Sequence, residues 1–184
     1  MPEPRIAPLP PAQREERTEE LLRSLRQEPD GPDLNIFATL ARHPRLLKRW
    51  SAFGGVLLYA GELPAREREL LILRTAWNCR AEYEWGQHVR IGLATGLTEE
   101  EVQRIPAGPT APGWSDMDTT LLVAADELHE RARIGEDTWR SLAATWSEVQ
   151  LIELCMVVGQ YHLVAFTLNS LEVQREDGVP PLPS

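Results

Sequence analysis

Residues 151–171 constrain the fold more than any other segment. Read as a helix, this stretch is apolar around most of its circumference, with Leu151, Ile152, Leu154, Met156, Val157, Val158, Leu163, Val164, Phe166 and Leu171. A helix of that kind must be covered on all sides, by lipid or by protein. Glu153, Gln160, His162 and Asn169 interrupt it, and placing all four in lipid is costly. The stretch therefore reads as the central helix of a helical protein, with no membrane partner expected. A chain of 184 residues has room for one core and few other helices to cover it, so self-association is expected.

The rest of the chain punctuates itself as further helices. Residues 12–28 carry Leu21, Leu22 and Leu25 at helical spacing before a Pro-Asp-Gly-Pro break at 29–32. Ile36, Phe37, Leu40 and Ala41 follow, and His43-Pro44 marks a boundary because proline disfavours helix in the residue before it. Residues 45–60 repeat the pattern with Leu46, Leu47, Trp50, Phe53, Val56 and Leu57, and Gly61 fits a C-terminal stop. Pro64 fits the start of a helix reaching Asn78, and another runs over 81–95 to stop near Gly96. Thr98 with Glu101 and Ser147 with Gln150 match capping boxes, and Ser115 with Asp118 matches one loosely. No strand alternation, hairpin signal or solenoid repeat stands out. The fold class is all-α, in one domain of about seven to nine helices.

Charge and cysteine usage narrow the functions. Nineteen Lys and Arg against 28 Asp and Glu give a net charge of −9, a poor match to a nucleic-acid backbone or an anionic membrane. Cys79 and Cys155 make no disulfide framework and suit small buried hydrophobes. No signal peptide is visible, and a cytoplasmic location is the simplest expectation. The proline-rich ends, residues 2–11 and 180–183, read as irregular arms.

Two adjacent helices hold the residues able to do chemistry. Glu69 begins an apolar stripe continued by Ile72, Leu73 and Ala76, so its carboxylate must pair, shift its pKa or work. An ion pair with Arg66 or Arg74 is the plainer alternative, and Arg66, Glu67 and Arg68 are expected to face water. Glu84 and His88 lie four apart on one face, flanked by Ala81, Trp85 and Gly92. A carboxylate beside an imidazole fixes its tautomer and makes a proton-transfer pair, although a structural Glu–His bond has the same spacing. A Glu-x-x-x-His lacks the second histidine of a helical zinc motif, so no metal is expected.

The run Arg66-Glu67-Arg68-Glu69-Leu70, then Trp77-Asn78, then Tyr83-Glu84-Trp85-Gly86-Gln87-His88 resembles the signature of carboxymuconolactone decarboxylase-like proteins, which share a helical fold with alkylhydroperoxidase D. The resemblance covers roughly residues 35–175 and includes Gly159-Gln160-Tyr161-His162 and the tail Gly178-Val179-Pro180-Pro181. It implies an N-terminal arm with a helix over 1–32, a helical domain over 33–175 and a proline-rich tail over 176–184. It also implies a homo-oligomer: a dimer, trimer or hexamer. The redox branch of the family uses Cys-x-x-Cys-x-x-x-His. Aligned on His88, its cysteine positions hold Ala81 and Glu84, so thiol peroxidase chemistry is not supported. The decarboxylase branch implies a cofactor-independent lyase acting on a small organic acid, lactone or enolisable carbonyl compound. Glu69, Glu84 and His88 would be catalytic, with Glu84 setting the charge and orientation of His88. Tyr83, Trp85 and His162 would bind the substrate. A non-catalytic helical oligomeric module and a peroxide-handling role for Cys79 are the alternatives.

Overall fold

The computed structural model describes residues 3–183; Met1, Pro2 and Ser184, the outermost residues of arm and tail, lie outside them. Among the described residues the chain forms nine α-helices and no strand. They are α1 (Glu16–Ser24), α2 (Asn35–Leu40), α3 (Pro44–Tyr59), α4 (Ala65–Asn78), α5 (Glu82–Ala94), α6 (Glu99–Arg104), α7 (Asp116–Arg131), α8 (Glu136–Ala143) and α9 (Glu148–Leu171). The capping boxes at Thr98 and Ser147 both form, opening α6 and α9, and the Ser115 side chain caps α7.

Helix α4 is the axis of the molecule and packs against α5, α7 and α9. Every residue from Arg68 to Ala76 is buried. Leu70, Leu71, Ile72 and Leu73 are each 0% exposed, and each contributes about 1.5–3 kcal/mol relative to an exposed side chain. Any charged group on that stretch must therefore find a partner inside the protein. A tight reversal then folds α5 back onto α4. Arg80 takes a left-handed conformation with φ 53°, and the Ala81 N–H donates to the Ala76 carbonyl at 2.8 Å. Gly92 lets the two helices close up, since a Cβ there would sit 2.9 Å from Leu97 and 3.7 Å from the Glu69 Cβ. This reversal sets Glu69 against His88.

Helix α9 is covered on one side only. Leu154, Val157, Val158, Ala165 and Leu168 enter the core, whereas Ile152, Met156, Leu163 and Phe166 are 64%, 46%, 51% and 61% exposed. Leu46, Val56 and Tyr59 of α3 are exposed too. A helix long and apolar enough to cross a membrane by composition thus has half of its most apolar window inside the protein.

The two ends differ from the irregular arms expected. The N-terminal helix is shorter than residues 12–28, and the arm packs on its own chain. Leu22 joins Ala41 and Leu47 in a small core, and the Leu9 N–H donates to Ala38 at 2.8 Å. Arg14 and Arg26 both bridge Glu19 and Asp33. The tail is anchored as well. Val179 is buried, and the tail crosses α5 at Gly86, where a Cβ would meet the Val179 side chain and lie 2.5 Å from the Pro180 carbonyl oxygen.

Candidate active site

A cavity of about 440 Å³ opens between α5 and α9 on one side and α2, α3 and the residues after α1 on the other. Its walls are largely apolar, with Leu25, Leu34, Ile36, Phe37, Trp50 and Val164. Its buried polar groups are Glu84, Gln87, His88, Gln160, Tyr83 and Tyr161, while Ser24, Arg26, Gln27, Ser51 and Tyr59 line its more exposed part. A mostly apolar cleft of this size with a handful of convergent polar groups is the usual form of a small-molecule site.

His88 Nδ1 lies 2.7 Å from Glu69 Oε2, and Glu69, wholly buried, accepts a second bond at 3.1 Å from Arg68 Nε. The Tyr161 ring meets the imidazole edge-on at 4.8 Å between centroids, fixing its plane. With Nδ1 committed to Glu69, Nε2 is the ring nitrogen without a protein partner among the described residues. Arg68 is therefore buried beside the site, contrary to the expectation that it faces water. The two arginines at helical spacing that could have paired with Glu69 are engaged elsewhere, Arg66 with Asp118 and Glu101, and Arg74 with Asp126.

Glu84 has the opposite environment. It lines the cavity, yet neither carboxyl oxygen has a hydrogen-bond partner among the described residues. Burial alone pushes its pKa well above the usual carboxylate range, so the neutral acid is favoured. The sequence reading of Glu84 as the group that orients His88 is thereby corrected. Both residues lie on one face of α5 and line the cavity, but the imidazole turns its Nδ1 across to α4, and Glu69 does the orienting.

Of the three residues expected to bind substrate, only Tyr83 lines the cavity, and its hydroxyl is committed. It donates to Glu176 Oε1 at 2.7 Å and accepts from the Ile36 N–H at 3.3 Å, and burial raises its pKa. Trp85 lies in the core, edge-on to Trp77 at 6.2 Å, because its position on α5 faces α4. His162 points away on the far side of α9, and its neighbours Gln160 and Tyr161 take the cavity wall instead. Sequence reasoning missed Glu176 altogether. This tail residue also accepts from the Asn35 N–H and from Gln87 Nε2, tying the tail to α2 and α5. Its only signal was a Glu a few residues before the closing prolines.

The thiols do not suit peroxide chemistry. Both are free, Cys79 half-buried and Cys155 exposed rather than the buried hydrophobes expected, because each sits on the rim of the core. Burial with the nearby Glu84 carboxyl pushes Cys79 up to about 11, where a redox thiol needs the reverse.

Fold and site together define a class of all-helical proteins in which a glutamate and a histidine from two antiparallel helices meet at a cavity wall. The model of the carboxymuconolactone decarboxylase family matches residues 44–127, which include this pair, and over that stretch the chain is similar to carboxymuconolactone decarboxylase-like proteins. No curated protein matches the sequence. Among solved structures, a peroxidase-related protein with an alkylhydroperoxidase AhpD core from Ralstonia eutropha JMP134 superimposes with a TM-score of 0.80 at 16% identity, over 94% of this chain and 93% of that one. The debrominase Bmp8, in complex with 2,3,4-tribromopyrrole, gives 0.78 at 16% identity over 94% of this chain and 91% of that one. A protein of unknown function from Agrobacterium tumefaciens gives 0.69 at 17% identity over 74% of this chain and 94% of that one. At such identities the likeness is one of fold.

Proposed function

We propose that the chain is a cofactor-independent acid–base enzyme acting on a small, largely apolar organic acid, lactone or enolisable carbonyl compound in the cavity beside His88. One observation carries this reading: a buried carboxyl kept neutral without a partner, Glu84, shares an apolar wall with an imidazole whose other nitrogen is held by Glu69. Two acid–base groups whose environments set them to opposite tasks are the usual signature of proton-transfer catalysis. The debrominase relative holds a small substituted heterocycle, which is consistent with a cavity of this size and character.

In a decarboxylation of the family type, the substrate's C–CO2 bond breaks and its electron pair moves into a conjugated carbonyl. The Glu84 O–H donates to the oxygen on which charge develops. The His88 imidazolium delivers its Nε2 proton to the substrate carbon, and the neutral ring that remains keeps its Nδ1–H on Glu69. A proton from solvent then restores the imidazolium. Glu69 acts through His88 and is a positioning residue. The Gln160 amide on the cavity wall can donate to the substrate's carboxylate or ring oxygen, and Gln87 can do so with the amide hydrogen that Glu176 does not hold.

The test uses a panel of small unsaturated lactone acids and β-keto acids, followed by NMR for loss of carbon dioxide. His88→Gln should abolish turnover of any active member, and Glu84→Gln should lower kcat with little change in KM. Turnover that survives His88→Gln at the native rate would remove the assignment.

A further inference from the structure

Away from the cavity, a second cluster of chemically able side chains forms where the end of α4 meets α7 and α9. We propose that Cys79, His129 and His162 form a transition-metal site for Zn²⁺, with the sulfur and two imidazole nitrogens as ligands and a fourth position open to water or a small anion. The three ligand atoms all lie within 4.8 Å of one another. His129 Nδ1 is 2.9 Å from His162 Nε2 and 3.9 Å from Cys79 Sγ. In a tetrahedral zinc site with Zn–N about 2.0–2.1 Å and Zn–S about 2.3 Å, the corresponding spacings are about 3.3 Å and about 3.6 Å. Shifts of a few tenths of an ångström in those two contacts, with the sulfur drawn toward His162, convert the cluster into a ligand set.

The orientation of His162 is a second, independent observation. Its Nδ1 bonds the Val158 carbonyl at 2.8 Å, and only an N–H can do that, so Nε2 carries a lone pair directed at the cluster. A ligating histidine whose other nitrogen is tied to a backbone carbonyl is the arrangement that fixes tautomer and ring plane in metal sites. The two imidazoles stack, with centroids 5.2 Å apart and planes 29° apart, and Phe166 packs edge-on against His162.

The donor set chooses the metal class. Two imidazoles and a sulfur suit zinc and its neighbours and are poor ligands for magnesium or calcium, which take oxygen. Three protein ligands with an open fourth position are the format of catalytic rather than structural zinc. On binding, the Zn–S bond replaces the Cys79 S–H bond, and the displaced proton passes to solvent. His129 is exposed, so the ion has a direct path from solution. The proposal is independent of the decarboxylase reading, because none of its three residues lines the cavity beside His88.

Zinc competition with a chromophoric indicator on the full chain, under reducing conditions, measures stoichiometry and affinity. The expected result is one Zn²⁺ per chain, with affinity lowered at least about 100-fold by Cys79→Ser or His162→Gln and unchanged by His88→Gln. Co²⁺ substitution supplies a readout that a folding defect cannot mimic: a thiolate-to-cobalt charge-transfer band, present in the native chain and in Cys155→Ser, absent in Cys79→Ser. His129→Gln, at an exposed position, covers the case in which a buried variant misfolds. No zinc bound by the native chain at micromolar concentrations, or zinc bound equally well by the Cys79, His129 and His162 variants, overturns the proposal.

Discussion

Replacing Glu69 by Gln tests the arrangement on which the site depends. The wild-type carboxylate is 0% exposed and satisfies two donors, His88 Nδ1 at 2.7 Å and Arg68 Nε at 3.1 Å. Glutamine keeps the size and leaves one carbonyl oxygen, so it can serve one donor and not both. It also strips the Arg68 guanidinium, whose side chain is only 10% exposed, of its single carboxylate partner among the described residues. Removing one member of a buried pair costs about 3–5 kcal/mol. The lower end applies here because part of the guanidinium reaches solvent. For a chain of this size about 3 kcal/mol lowers Tm by roughly 6–12 °C. The assay is urea unfolding of the parent, E69Q, R68M and the double variant. The double variant should be more stable than E69Q, because it removes the uncompensated charge together with its lost partner. E69Q within about 0.5 kcal/mol of the parent, a margin typical of surface changes, would refute the reasoning.

Three other outcomes follow from the same structure. Because the folded Glu84 carboxyl holds its proton more tightly than the unfolded one, it favours the fold at low pH. That contribution is lost as pH rises above the unfolded value of about 4.3 toward the folded one. E84Q should therefore gain stability over the parent progressively from pH 4 to pH 8 in urea midpoints, and a pH-independent difference would contradict this. Gly86→Ala should destabilise despite the roughly 1 kcal/mol that alanine gains over glycine in a helix, because its Cβ meets the Pro180 backbone, which cannot rotate away. Protease sensitivity of the tail should rise with it, and an unchanged Tm would mean that the tail does not pack there. Finally, the exposed apolar residues of α9 and α3 call for a homo-oligomer. Light scattering at micromolar concentration should give a multiple of 20.8 kDa, and a monomer mass would remove the argument.

What the sequence made legible was the part written locally. The expected helices over 64–78 and 81–95 lie within about a residue of Ala65–Asn78 and Glu82–Ala94, because proline, caps and apolar spacing act over one or two turns. That Glu69 and His88 belong together was legible too, since both lie on inward faces of adjacent helices. The rest depended on distant partners. Glu176 reaches Tyr83 across 93 positions, and no periodicity announces that contact. Spacing put Glu84 and His88 on one face but could not tell which carboxylate the imidazole would turn toward. Arg68 looked like a surface residue of a first turn until α4 proved to be surrounded. His162 was placed near the pocket by its neighbours, yet one step along a helix rotates a side chain by about 100°, and that step took it to Cys79 and His129. The exposed face of α9 was legible as well, because a single copy of the chain lacks the helices to cover it.

The central claim is that the cavity transfers protons to and from carbon through His88. Solvent exchange measures this directly, whatever the natural substrate. Small lactones and enolisable carbonyl compounds are incubated with the protein in deuterated buffer, and deuterium at the carbon next to the carbonyl is followed by NMR. The account predicts that at least one compound exchanges faster with the native chain than in buffer, and that His88→Gln returns it to the buffer rate. Exchange that persists undiminished in folded His88→Gln, or none for any compound shown to bind the cavity, would contradict it.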